Sequence, residues 1–260
     1  MKAPNYVPAH GLLRGKSVLV TAAAGAGIGL AVAKRAAEEG CRALFVSDVH
    51  ERRLAEAVEH LQRETGLAAV YGQLCDVSRE EQVQALVGAA EEKLGGVDVL
   101  VNNAGLGTSR LVIEMGDDEW HKVIDVTLTG TFRMTRAMLQ RMQPRGGGVI
   151  VNNASVLGWR AQAEQAHYAA AKAGVMALTR CAAIEAAPFG VRINAVAPSI
   201  AIHAFLRKSA SQELLDDLAS REAFGRAAEP WEVANVMVFL ASDYSSYMTG
   251  EVVSVSSQRA

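Results

Sequence analysis

The sequence is poor in cysteine and proline and has no long apolar run. Its three cysteines, Cys41, Cys75 and Cys181, are widely spaced, with no C-x-x-C pair and no histidine at metal-ligand spacing. An odd, scattered set excludes a disulfide framework or a metal site, and it reads as small buried hydrophobes in a reducing compartment. No apolar stretch approaches the roughly 20 residues that span a bilayer, and the opening "MKAPNYVPAHGLL" lacks the apolar core of a signal peptide. The expectation is a soluble, cytoplasmic protein with no membrane partner. An excess of one charge is missing as well. The 26 basic residues are scattered and stand against 28 acidic ones, which argues against a nucleic-acid partner.

What is present is alternation. Short runs rich in Val, Ile and Leu at 16–22, 43–48, 69–76, 97–104, 147–155, 191–199 and 250–257 are separated by segments of helical period. The spacing predicts helices over about 27–39, 51–64, 117–143 and 165–187, and a further one opened by a capping box between Ser78 and Glu81. Several of the strands are apolar on both faces, as a parallel sheet covered on both sides requires. With no linker and no repeat, the 260 residues read as one doubly wound α/β domain of seven strands. In such sheets ligands sit beyond the carboxyl ends of the strands.

Strand one runs into "VTAAAGAGIG". Glycine at this density costs chain entropy, so something requires a backbone only glycine permits. Gly25, Gly27 and Gly29 allow a tight turn, close approach to a pyrophosphate and close helix packing, and the next helix, from about Gly27 on through Ile28, offers free N–H groups and a partial positive charge. Asp48, at the end of strand two, stands where an acid accepts hydrogen bonds from an adenosine ribose. Its carboxylate would repel a 2′-phosphate, which favours NAD over NADP, although Arg52 and Arg53 lie near enough to soften that preference. Asp76 and Val77 after strand three fall beside the adenine, and Asn103, Ala104 and Gly105 after strand four beside the cofactor ribose.

The glycine turn, "NNAG" after strand four, Ser155 after strand five and "YAAAK" on the following helix resemble, in order and spacing, the short-chain dehydrogenase/reductase family. The resemblance runs from about 16 to 257. It implies a single Rossmann-type domain over 15–260, preceded by an N-terminal extension at 1–14, and a homotetramer built on the two long helices. Tyr168 and Lys172 are four apart and share a helix face. A free phenol has a pKa near 10, and bringing it to about 7.5 needs roughly 3 kcal/mol, which an ammonium about 5 Å away supplies at an effective dielectric near 20. Tyr168 is then the proton donor or acceptor, Ser155 holds the substrate oxygen, and Lys172 lowers the Tyr168 pKa and binds the nicotinamide ribose. The family pattern adds Thr21, Pro198 and Ala201 to the cofactor set.

The sequence departs from that pattern in places. The glycine turn has gained a residue, so the usual first glycine position is Ala23 and Gly25 is expected to supply a positive φ. "DVTLTG" puts Thr127 where the family carries an Asn that holds a relay water. After Pro198 come Ser199 and His203, and the chain closes with "SVSSQ". Together these segments resemble reductases of actinobacterial steroid ring C/D breakdown, which act on a bicyclic methyl-indane acyl-CoA. Residues 200–225 read as a substrate lid, with Phe205, Leu206, Leu214, Leu215 and Leu218 apolar on a helical period, and with Arg207 and Lys208 placed for an anionic carrier. Two other readings stand beside this one: a 3-oxoacyl-thioester reductase using NADPH, and a dinucleotide-binding sensor that lacks catalysis.

Overall fold

A computed structural model of the chain describes residues 1–202 and 211–257; His203, Phe205, Leu206, Arg207 and Lys208 lie outside the described residues. Seven parallel strands form one sheet: β1 (Ser17–Val20), β2 (Ala43–Asp48), β3 (Val70–Leu74), β4 (Val99–Asn102), β5 (Gly148–Asn153), β6 (Val191–Pro198) and β7 (Val252–Val255). Their order is β3-β2-β1-β4-β5-β6-β7, so the direction of winding reverses between β1 and β4. Every residue of β1, β2 and β4 is buried, as expected for strands covered on both faces.

The helices follow the predicted pattern: α1 (Ile28–Glu38), α2 (Glu51–Thr65), α3 (Glu80–Leu94), α4 (Asp117–Ile124), α5 (Gly130–Met142), α6 (Ala166–Ala186), α7 (Gln212–Ser220) and α8 (Pro230–Ala241). Two apolar layers lie on opposite faces of the sheet. One is built on Val18, Val20, Val32, Val99 and Met237, and the other on Leu19, Leu86, Leu100, Met138 and Ile150. Among the described residues no helix is long and apolar enough to cross a membrane.

Three local expectations are corrected. The helix predicted over 117–143 is interrupted by a π-helical turn at Asp125–Thr129, which separates α4 from α5. No capping box opens α3. The Ser78 hydroxyl donates to Asp76 Oδ1 at 2.7 Å, and the residue preceding the helix is Arg79. Cys41 and Cys75 are buried as expected, but Cys181 is exposed on α6.

The N-terminal arm lies against α1 and α8. Tyr6 packs edge-on against Trp231 at 5.3 Å between ring centroids and lies under the Arg35 guanidinium at 5.4 Å. Arg35 forms a buried ion pair with Glu39 and donates to the Val7 and Pro8 carbonyls. Glu39 in turn accepts the N–H groups of His10 and Leu12.

Candidate active site

The glycine turn closes over the carboxyl end of β1. Gly25 has φ +113° with open space where a side chain would stand, as the extra residue required. A second adjustment was not foreseen: Ala22 sits at φ +50°, a left-handed backbone that costs an alanine about 1 kcal/mol. Asn103 holds it there, donating from Nδ2 to the Ala22 carbonyl at 3.0 Å and to the Thr21 carbonyl at 3.2 Å. A Cβ on Gly29 would clash with the Ala22 carbonyl oxygen and stand 2.5 Å from Asn103 Nδ2, so only glycine lets α1 pack so close. The N-terminus of α1, flanked by Gly27, has no side-chain cap, and its first N–H groups are left for a ligand.

Thr21 faces β4. Its Oγ1 accepts the N–H groups of Asn103 at 3.0 Å and Ala104 at 3.1 Å and so shapes the loop through Gly105. Asp48 is buried at the end of β2 and accepts from the N–H groups of Ala24 at 3.2 Å and His50 at 3.1 Å. Burial pushes its carboxyl upward, against the Ala24 N–H and the Arg53 guanidinium 3.6 Å away. Arg52 is turned to Glu56. These features fit a dinucleotide: a cradle that a Cβ would fill, uncapped helix N–H groups and an acid one strand away.

Two strands beyond β1, the end of β5 carries the reactive groups. Ser155 is buried and opens a 3-10 turn at Val156–Gly158, its Oγ accepting the Leu157 N–H at 3.2 Å. Tyr168 is half-buried on the first turns of α6 beside Ser155, whose hydroxyl favours the phenolate, and the Lys172 ammonium lies 5.5 Å from the centre of its ring. Lys172 Nζ donates to the Asn153 carbonyl at 2.5 Å. Asn153 Nδ2 donates to Asn103 Oδ1 at 3.0 Å, which links the reactive end of β5 to the glycine turn. Sequence reasoning missed Asn153. The signal was present as the word "VNNA", written once at the end of β4 and again at the end of β5.

The electrostatics run opposite to the expected attraction. Desolvation pushes the Tyr168 phenol up to about 12, with the Ser155 hydrogen bond working the other way, and the same burial brings the Lys172 ammonium down to about 8. Burial penalises whichever form is charged, phenolate or ammonium, and this outweighs their mutual attraction.

The remaining expected positions gather at the same sheet end. Val77 is buried against Gly130, and the Asp76 carboxylate is held by the Ser78 N–H and hydroxyl. Pro198 ends β6, and Ala201 is buried and bridged to Ala228. Thr127 lies in the π-helical turn, fully buried. Its hydroxyl accepts the Leu106 N–H at 2.9 Å and donates to the Leu106 carbonyl at 3.1 Å, so its only proton is already engaged.

Comparison with known proteins bears on the family and the fold. A family model described as Enoyl-(Acyl carrier protein) reductase matches residues 22–257. The chain is 63% identical over 98% of its length, and 97% of the relative's, to (5R,7aS)-5-hydroxy-7a-methyl-1-oxo-2,3,5,6,7,7a-hexahydro-1H-indene-carboxyl-CoA reductase of Mycobacterium tuberculosis. It is 37% identical to a 3-oxoacyl-[acyl-carrier-protein] reductase of Thermotoga maritima, covering 94% of this chain and 97% of that one. A crystal structure of a short chain dehydrogenase from Mycobacterium smegmatis superposes with a TM-score of 0.89 at 59% identity, covering 100% of this chain and 99% of that one.

Proposed function

The chain belongs to the short-chain dehydrogenase/reductase family, and from that premise we propose that it transfers hydride between NAD and a ring ketone or secondary alcohol on a bicyclic acyl-CoA. The observation that carries this reading is the convergence of Ser155, Tyr168 and Lys172 next to the glycine turn. The bicyclic acyl-CoA follows from the 63% identical relative, whose name specifies such a substrate.

The nicotinamide, when bound, supplies or accepts the hydride; the chain's own residues manage the proton and the oxygen. Tyr168 gives its phenolic proton to the carbonyl oxygen as that oxygen gains charge, and takes it back from the alcohol in the reverse direction. Ser155, beside Tyr168, donates to the same oxygen and stabilises the developing alkoxide. Lys172 stabilises the phenolate left behind. With its pKa near 8, it keeps its proton at neutral pH.

Gly25, Gly27, Ile28 and Gly29 would hold the pyrophosphate and Asp48 the adenosine ribose. Asp76, Val77, Asn103, Ala104, Gly105, Pro198 and Ala201 would line the rest of the coenzyme groove. The Arg53 guanidinium is paired with Asp48, and this supports NAD over NADP. The outer faces of α5 and α6 share an apolar groove of about 420 Å³, with Phe132 and Phe189 partly exposed along it. That groove supports a homotetramer built on these helices. The scattered, unpaired cysteines suit the cytoplasm.

The test follows the absorbance of reduced coenzyme with a cyclic keto acyl-CoA, using NADH and NADPH in parallel. Turnover with NADH exceeding NADPH by at least about tenfold in kcat/KM, some 1.4 kcal/mol, is expected. Preference for NADPH with linear 3-oxoacyl thioesters would install the carrier-protein reductase reading instead, and binding without turnover on any ketone would leave the sensor.

A further inference from the structure

His167, immediately before Tyr168 on α6, is completely buried and has no part in the chemistry above. Its Nε2 stands 2.7 Å from Thr108 Oγ1. The same Thr108 hydroxyl lies 2.7 Å from Glu119 Oε1, and Glu119 Oε2 accepts from Arg110 Nε at 3.2 Å. The hydrogen bonds from Thr108 and Arg110 hold the Glu119 carboxyl below its usual range, so it is an acceptor only. The single Thr108 proton must therefore point at Glu119. His167 must then donate through Nε2–H. Its Nδ1 is buried without a hydrogen-bond partner among the described residues.

This chain of groups closes on a loop that lies against the phenol. A Cβ built on Gly107 would stand 3.1 to 3.5 Å from three atoms of the Tyr168 ring, so the loop backbone lies directly on that ring. Further contacts clasp the same loop to the start of α6. Gln165 Nε2 donates to the Thr108 carbonyl at 2.9 Å, and the Arg110 N–H donates to the carbonyl of Glu164 at 3.0 Å. Glu164 itself takes a left-handed φ of +65° to make this contact. At its other end the loop is held at Leu106 by Thr127.

We propose that His167 is a positioning residue: its Nε2–H bond to Thr108, backed by Glu119 and Arg110, fixes residues 105–111 as one wall of the Tyr168 pocket. The proposal rests on the hydride-transfer reading for its kinetic consequence, but its structural content can be measured without turnover. Thr127 would serve the same wall from the opposite side.

The experiment compares His167→Leu, His167→Gln and Thr108→Val by amide hydrogen exchange of residues 105–111 and by steady-state kinetics. His167→Leu and Thr108→Val are each expected to raise loop exchange about tenfold, the loss of one hydrogen bond, and to lower kcat by about the same factor, with coenzyme affinity within twofold of the parent. His167→Gln, whose amide nitrogen keeps a donor, is expected to restore most of both. The double variant should lose no more than Thr108→Val alone, since that change already cuts the His167 link.

Unchanged loop exchange in both single variants overturns the proposal, as does faster exchange with unchanged kcat, or losses that add in the double variant. Should His167→Leu fail to fold, Thr108→Val carries the same test. A parent protein inactive on every ketone but with the expected exchange pattern would defeat the hydride-transfer reading and leave the clasp standing.

Discussion

β4 and β5 end in the same word and do different things with it. β4 runs into Val101-Asn102-Asn103-Ala104-Gly105 and β5 into Val151-Asn152-Asn153-Ala154-Ser155, with Asn102 beside Asn152 in the ladder. The first asparagines act alike. Asn102 Nδ2 donates to Asn152 Oδ1 at 2.9 Å and to Thr135 on α5, and Asn152 Nδ2 donates to Thr179 on α6, tying both strands to the helices beneath. The second asparagines diverge because their neighbours do. Asn103 faces the glycine turn and pins its strained Ala22, whereas Asn153 offers its backbone carbonyl to Lys172. One terminus therefore organises coenzyme binding and the other the proton chemistry, with a single amide–amide bond between them.

The sharpest way to break this division is Tyr168→Phe, which removes the phenolic hydroxyl and keeps the ring. Rate is expected to fall about a thousandfold, within the range for general acid–base groups, while NADH affinity measured by fluorescence titration stays within twofold. A comparable loss of affinity would merge the two halves. Gly29→Ala acts on the opposite half. Its methyl group meets the Ala22 carbonyl, and a strain of about 1–3 kcal/mol should weaken NADH binding ten- to a hundredfold with kcat at saturation nearly kept. A finer cut compares Asn103→Ala with Asn153→Ala. The former releases the Ala22 turn and should raise the coenzyme Kd about tenfold, whereas the latter keeps the backbone carbonyl on Lys172, removes only the amide bond to Asn103, and should shift Kd and kcat by less than about threefold. Equal shifts in the same constant would show that the two asparagines act as one unit.

The smallest effect concerns stability. Lys172 loses its proton near pH 8 in the folded protein, against 10.5 ordinarily. Between those values the unfolded chain binds more protons, so stability rises with pH across that window, and below pH 8 the full cost of burying the ammonium applies. The coenzyme-free Lys172→Met protein is therefore expected to be about 1 kcal/mol more stable than the parent at pH 7, after allowance for the Asn153 carbonyl left unpaired. That advantage should disappear by pH 10.5. Urea melts at the two pH values read it directly, and a variant weaker at pH 7 would show the hydrogen bond outweighing desolvation.

The sheet, and the positions that gather at its carboxyl end, were legible because their signals are local. Two-sided apolar runs marked buried strands, and an extra residue in a glycine turn demanded a positive φ at Gly25. What escaped depends on partners far along the chain. Ser78 looked like a cap until Asp76 captured its hydroxyl. The helix period over 117–143 carried no mark of the π-helical turn, whose buried Thr127 is bonded at both ends to Leu106, 21 residues earlier. The phenol–ammonium pair was weighed by attraction alone, since burial is a property of the folded surroundings and not of the spacing in "YAAAK". Cys181 stands on the outer face of a helix whose other side is core, a distinction its neighbours in sequence do not draw.

The arm of residues 1–14 has a practical corollary. It works as a gasket: Tyr6 is wedged between Arg35 and Trp231, and the amides of His10 and Leu12 sit on Glu39. Trimming it to obtain a tidier chain would strip those bonds from an enclosed ion pair and let water into the seam between the first and last helices. A shortened protein should accordingly come loose first at that seam.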